Sequence, residues 1–138
     1  MTAIPLRATL TLPGQPQYLA RAREFVSIAL GGNHPCAETL TVIISELVTN
    51  SMVHSRSGLA GGMVTITLRP FTGDGSGARP RVRVEVTDDG AADIPALRPV
   101  AVCDVGGRGL HLVDALAAAW NCSRDPAGTT TTWAEVIV

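Results

Sequence analysis

The stretch ISELVTNSMVHS, residues 44–55, has the apolar spacing of a helix that packs against a core. It also carries Glu46, Asn50 and His54, which are spaced four residues apart. Because residues four apart are neighbours on a helix, about 6 Å along its axis, the three side chains share one stripe. A carboxylate, an amide and an imidazole on one stripe could simply face water, or they could address one ligand together.

The segments around this helix predict an α+β domain. Alternation of apolar and polar residues predicts strands at 6–12, 63–69, 81–88, 120–124 and 129–138, with a turn at 125–128 before the last. Helical spacing predicts helices over 16–30, 37–54 and 108–120. The order β-α-α-β-β-α-β-β is typical of a two-layer sandwich, in which helices cover one face of a mixed, mostly antiparallel sheet.

Length, composition and charge describe one globular domain. The 138 residues, 46% hydrophobic and 17% charged, suffice for a single core, so we expect one domain over 1–138. The net charge of -1 gives no general attraction to nucleic acid or to an anionic membrane. All 11 basic residues are arginine, which excludes a P-loop because that motif needs a lysine.

Cysteine usage and hydropathy favour the cytoplasm. Cys36, Cys103 and Cys122 have no C-x-x-C spacing, which predicts neither a disulfide framework nor a zinc ribbon. The scattered histidines match no metal-ligand spacing either. No segment approaches the roughly 18 apolar residues of a membrane span. We therefore expect a reduced, cytoplasmic protein without membrane contact.

The strand at residues 81–88 directs a carboxylate towards the core. Val82, Val84 and Val86 alternate onto one face, and Asp88 has the same parity. A buried carboxylate needs hydrogen-bond donors, and a ligand amine is one source of them. The alternative is that the strand ends at Thr87 and that Asp88 belongs only to a turn.

A glycine-rich segment, GGRGL at residues 106–110, stands at the start of the third helix. Free amide groups at a helix start attract anions, and Arg108 would suit a phosphate. Such a segment could equally be a flexible hinge. Residues 91–105 before it show no periodicity, and a loop of that length inside a domain is usually functional or mobile.

Arg79, Arg81 and Arg83 form a stripe along one strand. Such a stripe could bind RNA or an acidic partner, but it is more often a solvated outer face. Because no aromatic residues are interleaved with the arginines, we predict no direct contact with nucleic acid.

Three motifs taken together match a known family. ELVTN (46–50), VTDDG (86–90) and GGRGLHLV (106–113) resemble the N, G1 and G2 boxes of the GHKL ATPases, in the same order. The resemblance covers nearly the whole chain and is greatest to the stand-alone serine kinases that act as anti-sigma factors. It implies the Bergerat-type ATP-binding sandwich of that superfamily, with ATP and Mg²⁺ as cofactors.

The resemblance also implies roles for individual residues. Glu46 would be the general base, and Asn50 would hold the Mg²⁺ that bridges the phosphates. Asp88 would accept a hydrogen bond from the adenine amino group, and Gly90 would let the base sit close. His54 would lie beside the phosphates, and Thr130, chosen from four consecutive threonines, would support the adenine end. Residues 91–105 would form the lid, and the phosphates would be wrapped by Gly106, Gly107, Arg108, Gly109 and Leu110.

On this resemblance we expect an ATP-binding regulatory serine/threonine-protein kinase. It would phosphorylate an anti-sigma-factor antagonist, hold a sigma factor inactive when the antagonist is absent, and form a homodimer. One departure leaves an alternative open, because the G1 box usually reads D-x-G-x-G and its last position here is Ala92. The alternative is a catalytically inactive module of the same fold, which binds ATP or acts without nucleotide.

Overall fold

The computed structural model of the protein describes residues 7–31, 33–71, 79–90 and 110–138. The elements follow the predicted order, with a single 3-10 turn before the first helix and another after the second. They are strand β1 (Ala8–Pro13), helices α1 (Leu19–Leu30) and α2 (Ala37–His54), strands β2 (Met63–Phe71) and β3 (Arg81–Asp88), helix α3 (His111–Leu116), and strands β4 (Ala119–Arg124) and β5 (Thr130–Ile137).

The five strands form one sheet in the order β1-β2-β3-β5-β4. Each of the four pairings is antiparallel, so the described sheet is antiparallel throughout, where a mixed sheet was expected. The α+β class is confirmed. The order places β3 at the centre of the sheet, between β2 and β5, and its last residue, Asp88, pairs with a residue on each side.

The core lies where the alternating strand residues meet the apolar stripe of α2. Val82, Val84 and Val86 of β3 are buried, as their spacing predicts. Burial of one such side chain stabilises the fold by about 1.5–3 kcal/mol. Helix α2 spans the predicted residues and is anchored to the sheet by the buried side chains of Leu40, Ile43, Ile44, Leu47 and Val48. Among the described residues, no helix is long and apolar enough to cross a membrane.

Helix α3 is shorter than predicted, because it ends at Leu116 and does not continue to Trp120. Alanines 117–119 favour a helix by their intrinsic preference. In the structure, however, Ala118 N donates to Glu135 O at 2.8 Å, and Ala119 pairs with Glu135 in the sheet. Sheet pairing has therefore overridden local preference at this point.

The arginine stripe lies on the face of the sheet opposite the buried valines and is largely engaged within the protein. Arg81 Nη1 and Arg83 Nε donate to the Glu135 carboxylate at 3.0 and 2.8 Å, and Glu135 is only 4% exposed. The guanidinium carbon of Arg83 lies 4.1 Å from the centroid of the Trp133 ring. Arg79 donates to the carbonyl of Val138 at 3.0 Å. Arg81 and Arg83 thus belong to the sheet's own ion-pair network, and Arg79 bonds to a carbonyl oxygen.

The cysteines differ in state. Cys36, immediately before α2, is a buried free thiol, and burial raises its pKa. Its Sγ donates to the carbonyl of Ile137 at 3.7 Å. Cys122 on β4 is disulfide-bonded, a bond that the cysteine spacing did not predict.

Candidate functional site

Asp88 forms the end of β3, and its carboxylate faces α2. The strand includes Asp88, so the alternative in which it ends at Thr87 is wrong. Ser51 Oγ donates to Asp88 Oδ2 at 2.7 Å, and the Gly90 backbone N donates to Oδ1 at 2.8 Å. Ser51 is 5% exposed, on the buried side of α2. Donors from the helix and from the loop after β3 therefore both hold the carboxylate.

Thr130 lies directly opposite Asp88 across the β3–β5 pair. Thr131 pairs with Thr87, with their hydroxyl oxygens 2.8 Å apart, and lies on the other face because successive strand residues alternate. Thr130 is 2% exposed. Thr130, the residue chosen from the four threonines, thus stands beside the Asp88 carboxylate.

Three buried side-chain atoms of the described residues have no hydrogen-bond partner, and two of them are at predicted site positions. They are Asn50 Oδ1, Thr130 Oγ1 and Arg69 Nε. An unsatisfied buried polar group costs about 1–3 kcal/mol, so native structures keep few of them. The Asn50 and Thr130 oxygens are therefore the strongest structural indication that a ligand belongs here.

Glu46 lies one helical turn before Asn50 on α2 and is half-buried. No ion pair among the described residues neutralises its carboxylate. Carboxylate and amide oxygens are hard ligands of the kind that Mg²⁺ accepts, usually together with phosphate oxygens and water. The unpartnered Oδ1 of Asn50 therefore fits a magnesium–phosphate group, and the Glu46 carboxylate one turn before it is free of ion pairs among the described residues and can accept a proton.

The remaining predicted residues have other surroundings. His54 is the last residue of α2 and is exposed. Leu110 is 2% exposed, and its side chain packs in the hydrophobic core just before α3. Gly106, Gly107, Arg108 and Gly109 lie outside the described residues, as does the predicted lid at 91–105. Their roles stay predictions.

Gly90 is required by the protein itself. Its φ of +88° is in the left-handed region, and a Cβ at this position would lie 1.9 Å from the carbonyl oxygen of Gly128. Gly128 belongs to the turn at 125–128 between β4 and β5, whose predicted position is confirmed by the bond from Gly128 N to Asp125 O at 2.8 Å. The resemblance implied that Gly90 makes room for a base. In the structure it makes room for this turn.

A group of residues just after the ELVTN motif, none of which was predicted to belong to the site, supports the segment 88–90. Ser57 is fully buried, and its Oγ donates to Met63 O at 2.6 Å and accepts from Asp89 N at 2.8 Å. Arg56 N donates to Gly90 O at 2.7 Å, and its guanidinium donates twice to Asp89 O.

A signal for this group was present in the sequence. Serines at 51, 55 and 57 surround the end of α2 in SMVHSRS. Serine hydroxyls near helix ends commonly bond to backbone groups. Ser55 does so here, because its Oγ donates to Ser51 O at 2.6 Å and accepts from Ser57 N at 2.9 Å.

The arrangement combines two chemistries at one end of the sheet. Asp88 accepts hydrogen bonds while the Thr130 hydroxyl beside it can donate one, which suits the edge of a heterocycle that carries an amino group next to a ring nitrogen. Glu46 and Asn50 supply oxygens of the kind that bind a hydrated cation or orient a hydroxyl. Together these groups can bind a nucleotide without a P-loop.

Comparison with protein families supports the same interpretation. A family model described as histidine kinase-like ATPase domain matches residues 12–134, which is most of the chain. The chain belongs to the histidine kinase-like ATPase domain family. The matched region runs from β1 into β5 and includes each predicted site residue. The GHKL resemblance drawn from the three motifs is thereby confirmed.

Among curated proteins, relatives of this ATPase domain are named as kinases. Serine-protein kinase RsbW from Listeria innocua serovar 6a is 26% identical over 124 residues, a match that covers 80% of this chain and 74% of the relative. The serine-protein kinases RsbW of Listeria monocytogenes serotypes 4a and 4b are similar to the same extent. The ATPase domain is thus similar to serine-protein kinases over most of its length.

Proposed function

We propose that this ATPase domain is a cytoplasmic regulatory serine/threonine-protein kinase, an anti-sigma factor or a paralogue of one, that phosphorylates an anti-sigma-factor antagonist. The observation that carries the proposal is the pair of buried, unpartnered oxygens at Asn50 and Thr130, in a chain of this family. The similarity to serine-protein kinases RsbW supports the choice of a protein acceptor. A sigma factor and a second copy of the chain are the further partners in this proposal.

Each residue of the site has a part in the proposed transfer. Asn50 would hold Mg²⁺, which would supply positive charge to offset that of the phosphates. Asp88 accepts from the adenine amino group, with Thr130 beside it, while His54 lies near the phosphates and residues 106–110 wrap them. Glu46 accepts the proton of the acceptor hydroxyl, whose oxygen bonds to the γ-phosphorus as ADP leaves.

The first test separates binding from chemistry. Calorimetric titration with ATP should show binding that depends on Mg²⁺, and wild-type protein should transfer labelled phosphate to an antagonist protein. Glu46→Gln should lower the transfer rate by about 10²- to 10⁴-fold, the usual contribution of a general base, and leave ATP affinity unchanged.

Glu38→Gln is the matched control, because Glu38 is an exposed acid in the first turn of the same helix. It should change neither binding nor transfer. Undiminished transfer by Glu46→Gln would remove Glu46 from the role of base. Failure of the wild-type protein to bind ATP at millimolar concentration would contradict the nucleotide site itself.

Ala92 at the end of the G1 box favours a second candidate function, a catalytically inactive module of the same fold. Such a module binds a partner protein with ATP as a structural ligand or without any nucleotide. The two candidates differ in one measurement. If the wild-type protein binds the antagonist but transfers no phosphate to it, the protein is the inactive module. If it transfers phosphate to the antagonist, it is the kinase.

A further inference from the structure

We propose that Ser51 is a positioning residue that makes the Asp88 carboxylate selective for a base with an exocyclic amino group. The proposal rests on the proposed nucleotide site and adds to it the residue that determines base preference. Neither the three motifs nor the role implied for Asp88 includes Ser51. Only the folded chain brings it to the carboxylate, across 37 residues of sequence.

The carboxylate of Asp88 is held on both of its oxygens. Ser51 Oγ donates to Oδ2 at 2.7 Å, and Gly90 N donates to Oδ1 at 2.8 Å. Both donors are themselves fixed, because Ser51 is buried on α2 and Gly90 is buried with its carbonyl bonded to Arg56 N at 2.7 Å. The orientation of the carboxylate is therefore set by the protein before a base enters.

The direction of the Ser51 hydrogen bond determines what the pair can recognise. A serine hydroxyl has one hydrogen and two lone pairs, and here the hydrogen is donated to Asp88. Towards any third group, Ser51 can therefore only accept. Ser51 and Asp88 together present acceptors, which suits an amino group with its two hydrogens. A carbonyl oxygen in the place of the amino group would have no hydrogen to donate, so it and the acceptor oxygens of Ser51 and Asp88 would be left without hydrogen-bond partners.

Thr130 completes the pattern. Its hydroxyl lies opposite Asp88, is buried, and has no partner among the described residues. It can donate to a ring nitrogen next to the amino group. Acceptors from Ser51 and Asp88 with a donor from Thr130 match the edge of a 6-aminopurine and oppose that of a 6-oxopurine.

The test compares two ligands that differ only in the amino group. ATP carries it, and purine riboside triphosphate lacks it. Ser51→Ala should weaken ATP binding about tenfold, the effect of one hydrogen bond to a charged group, and leave binding of purine riboside triphosphate unchanged. Ser51→Thr keeps the hydroxyl and should keep the preference for ATP. Affinities are measured by calorimetry with Mg²⁺ present.

Ser45→Ala is the matched control, because Ser45 is on the same helix and donates to Thr41 O at 2.8 Å, away from Asp88. It should alter neither affinity. Equal loss of both ligands in Ser51→Ala would show that Ser51 only supports the fold, and no loss of either would show that it does not position Asp88. Both results overturn the proposal.

The remaining outcomes concern ligand binding by the wild-type protein and folding of the variant. If the wild-type protein binds neither ligand, the proposed function itself is contradicted. This result differs from a failure of the Ser51 proposal, because it is measured without any substitution. If circular dichroism shows that Ser51→Ala is unfolded, Ser51→Cys takes its place, because a thiol is a weak donor of similar size. Selective weakening of ATP binding is then expected, and equal weakening of both ligands would overturn the proposal.

Discussion

Gly90 shows how tightly the loop after β3 is built at the scale of single residues. It is buried, its backbone has a positive φ, and its carbonyl accepts from Arg56 N. A Cβ added to it would lie 1.9 Å from the carbonyl oxygen of Gly128. The same loop carries Asp88 and Asp89, both of which are bonded to serine hydroxyls. A side chain added at residue 90 can therefore disturb the whole end of the sheet.

Gly90→Ala should destabilise the protein by more than about 2 kcal/mol. An L-residue with positive φ costs roughly 1–2 kcal/mol, and the added Cβ would also meet a backbone carbonyl that cannot easily move. Urea unfolding followed by circular dichroism measures the change. Gly61→Ala is the control, because its φ is +81° with nothing within 4 Å of the added Cβ. An equal loss in both variants would contradict the steric part of the argument.

At the scale of elements, α2 and the 3-10 turn after it connect the helical layer to the strands. Ser51 reaches the end of β3, while Ser57 bonds to β2 through Met63 O and to the loop after β3 through Asp89 N. Two backbone hydrogen bonds close the same turn region. Gly62 N donates to Leu59 O at 2.9 Å, and Gly58 N donates to Ser55 O at 3.3 Å. The turn is thus a rigid support for the site.

Ser57→Ala should lower the free energy of unfolding by about 1–3 kcal/mol. Ser57 is fully buried, and removal of its hydroxyl leaves the Asp89 N–H and the Met63 carbonyl without this partner. Denaturant unfolding gives the value, and Ser123→Ala on the exposed surface of β4 serves as the control, with an expected change near zero. A Ser57 variant as stable as wild type would show that water replaces the hydroxyl.

At the scale of the whole molecule, one core between helices and sheet determines where the site can form. The apolar stripe of α2 places Glu46 and Asn50 along its edge, and the same packing brings Ser51 to Asp88. The outer face of the sheet is held separately, by the pairing of Glu135 with Arg81 and Arg83. Stability and site geometry therefore depend on the same helix.

Ile43→Ala should cost about 2–5 kcal/mol, because Ile43 is completely buried in the centre of α2 and the substitution leaves a cavity. Thermal unfolding of the whole chain should remain a single transition at a lower temperature. Val53→Ala on the same helix is the control, since Val53 is 67% exposed and its change should be within about 0.5 kcal/mol. Two separate transitions in either variant would contradict the single core.

Much of the fold could be predicted because it depends on local periodicity. The bounds of α2, the extension of β3 to Asp88, and the turn at 125–128 follow from spacing within one element, and each was found as predicted. The third helix was predicted too long, because alanines 117–119 favour a helix by themselves and the sheet edge competes for them.

For the candidate site, the sequence by itself determined which residue types are present and at what spacing: an acid and an amide one turn apart, an inward carboxylate at a strand end, and a run of threonines. Only the tertiary structure decided which threonine lies opposite Asp88 and that Ser51 donates to the Asp88 carboxylate. It also decided that residue 90 must lack a side chain, because the carbonyl of Gly128 occupies that space. The physical reason is range. Periodicity acts between neighbours on one element, whereas these contacts form between elements and depend on how the whole core packs.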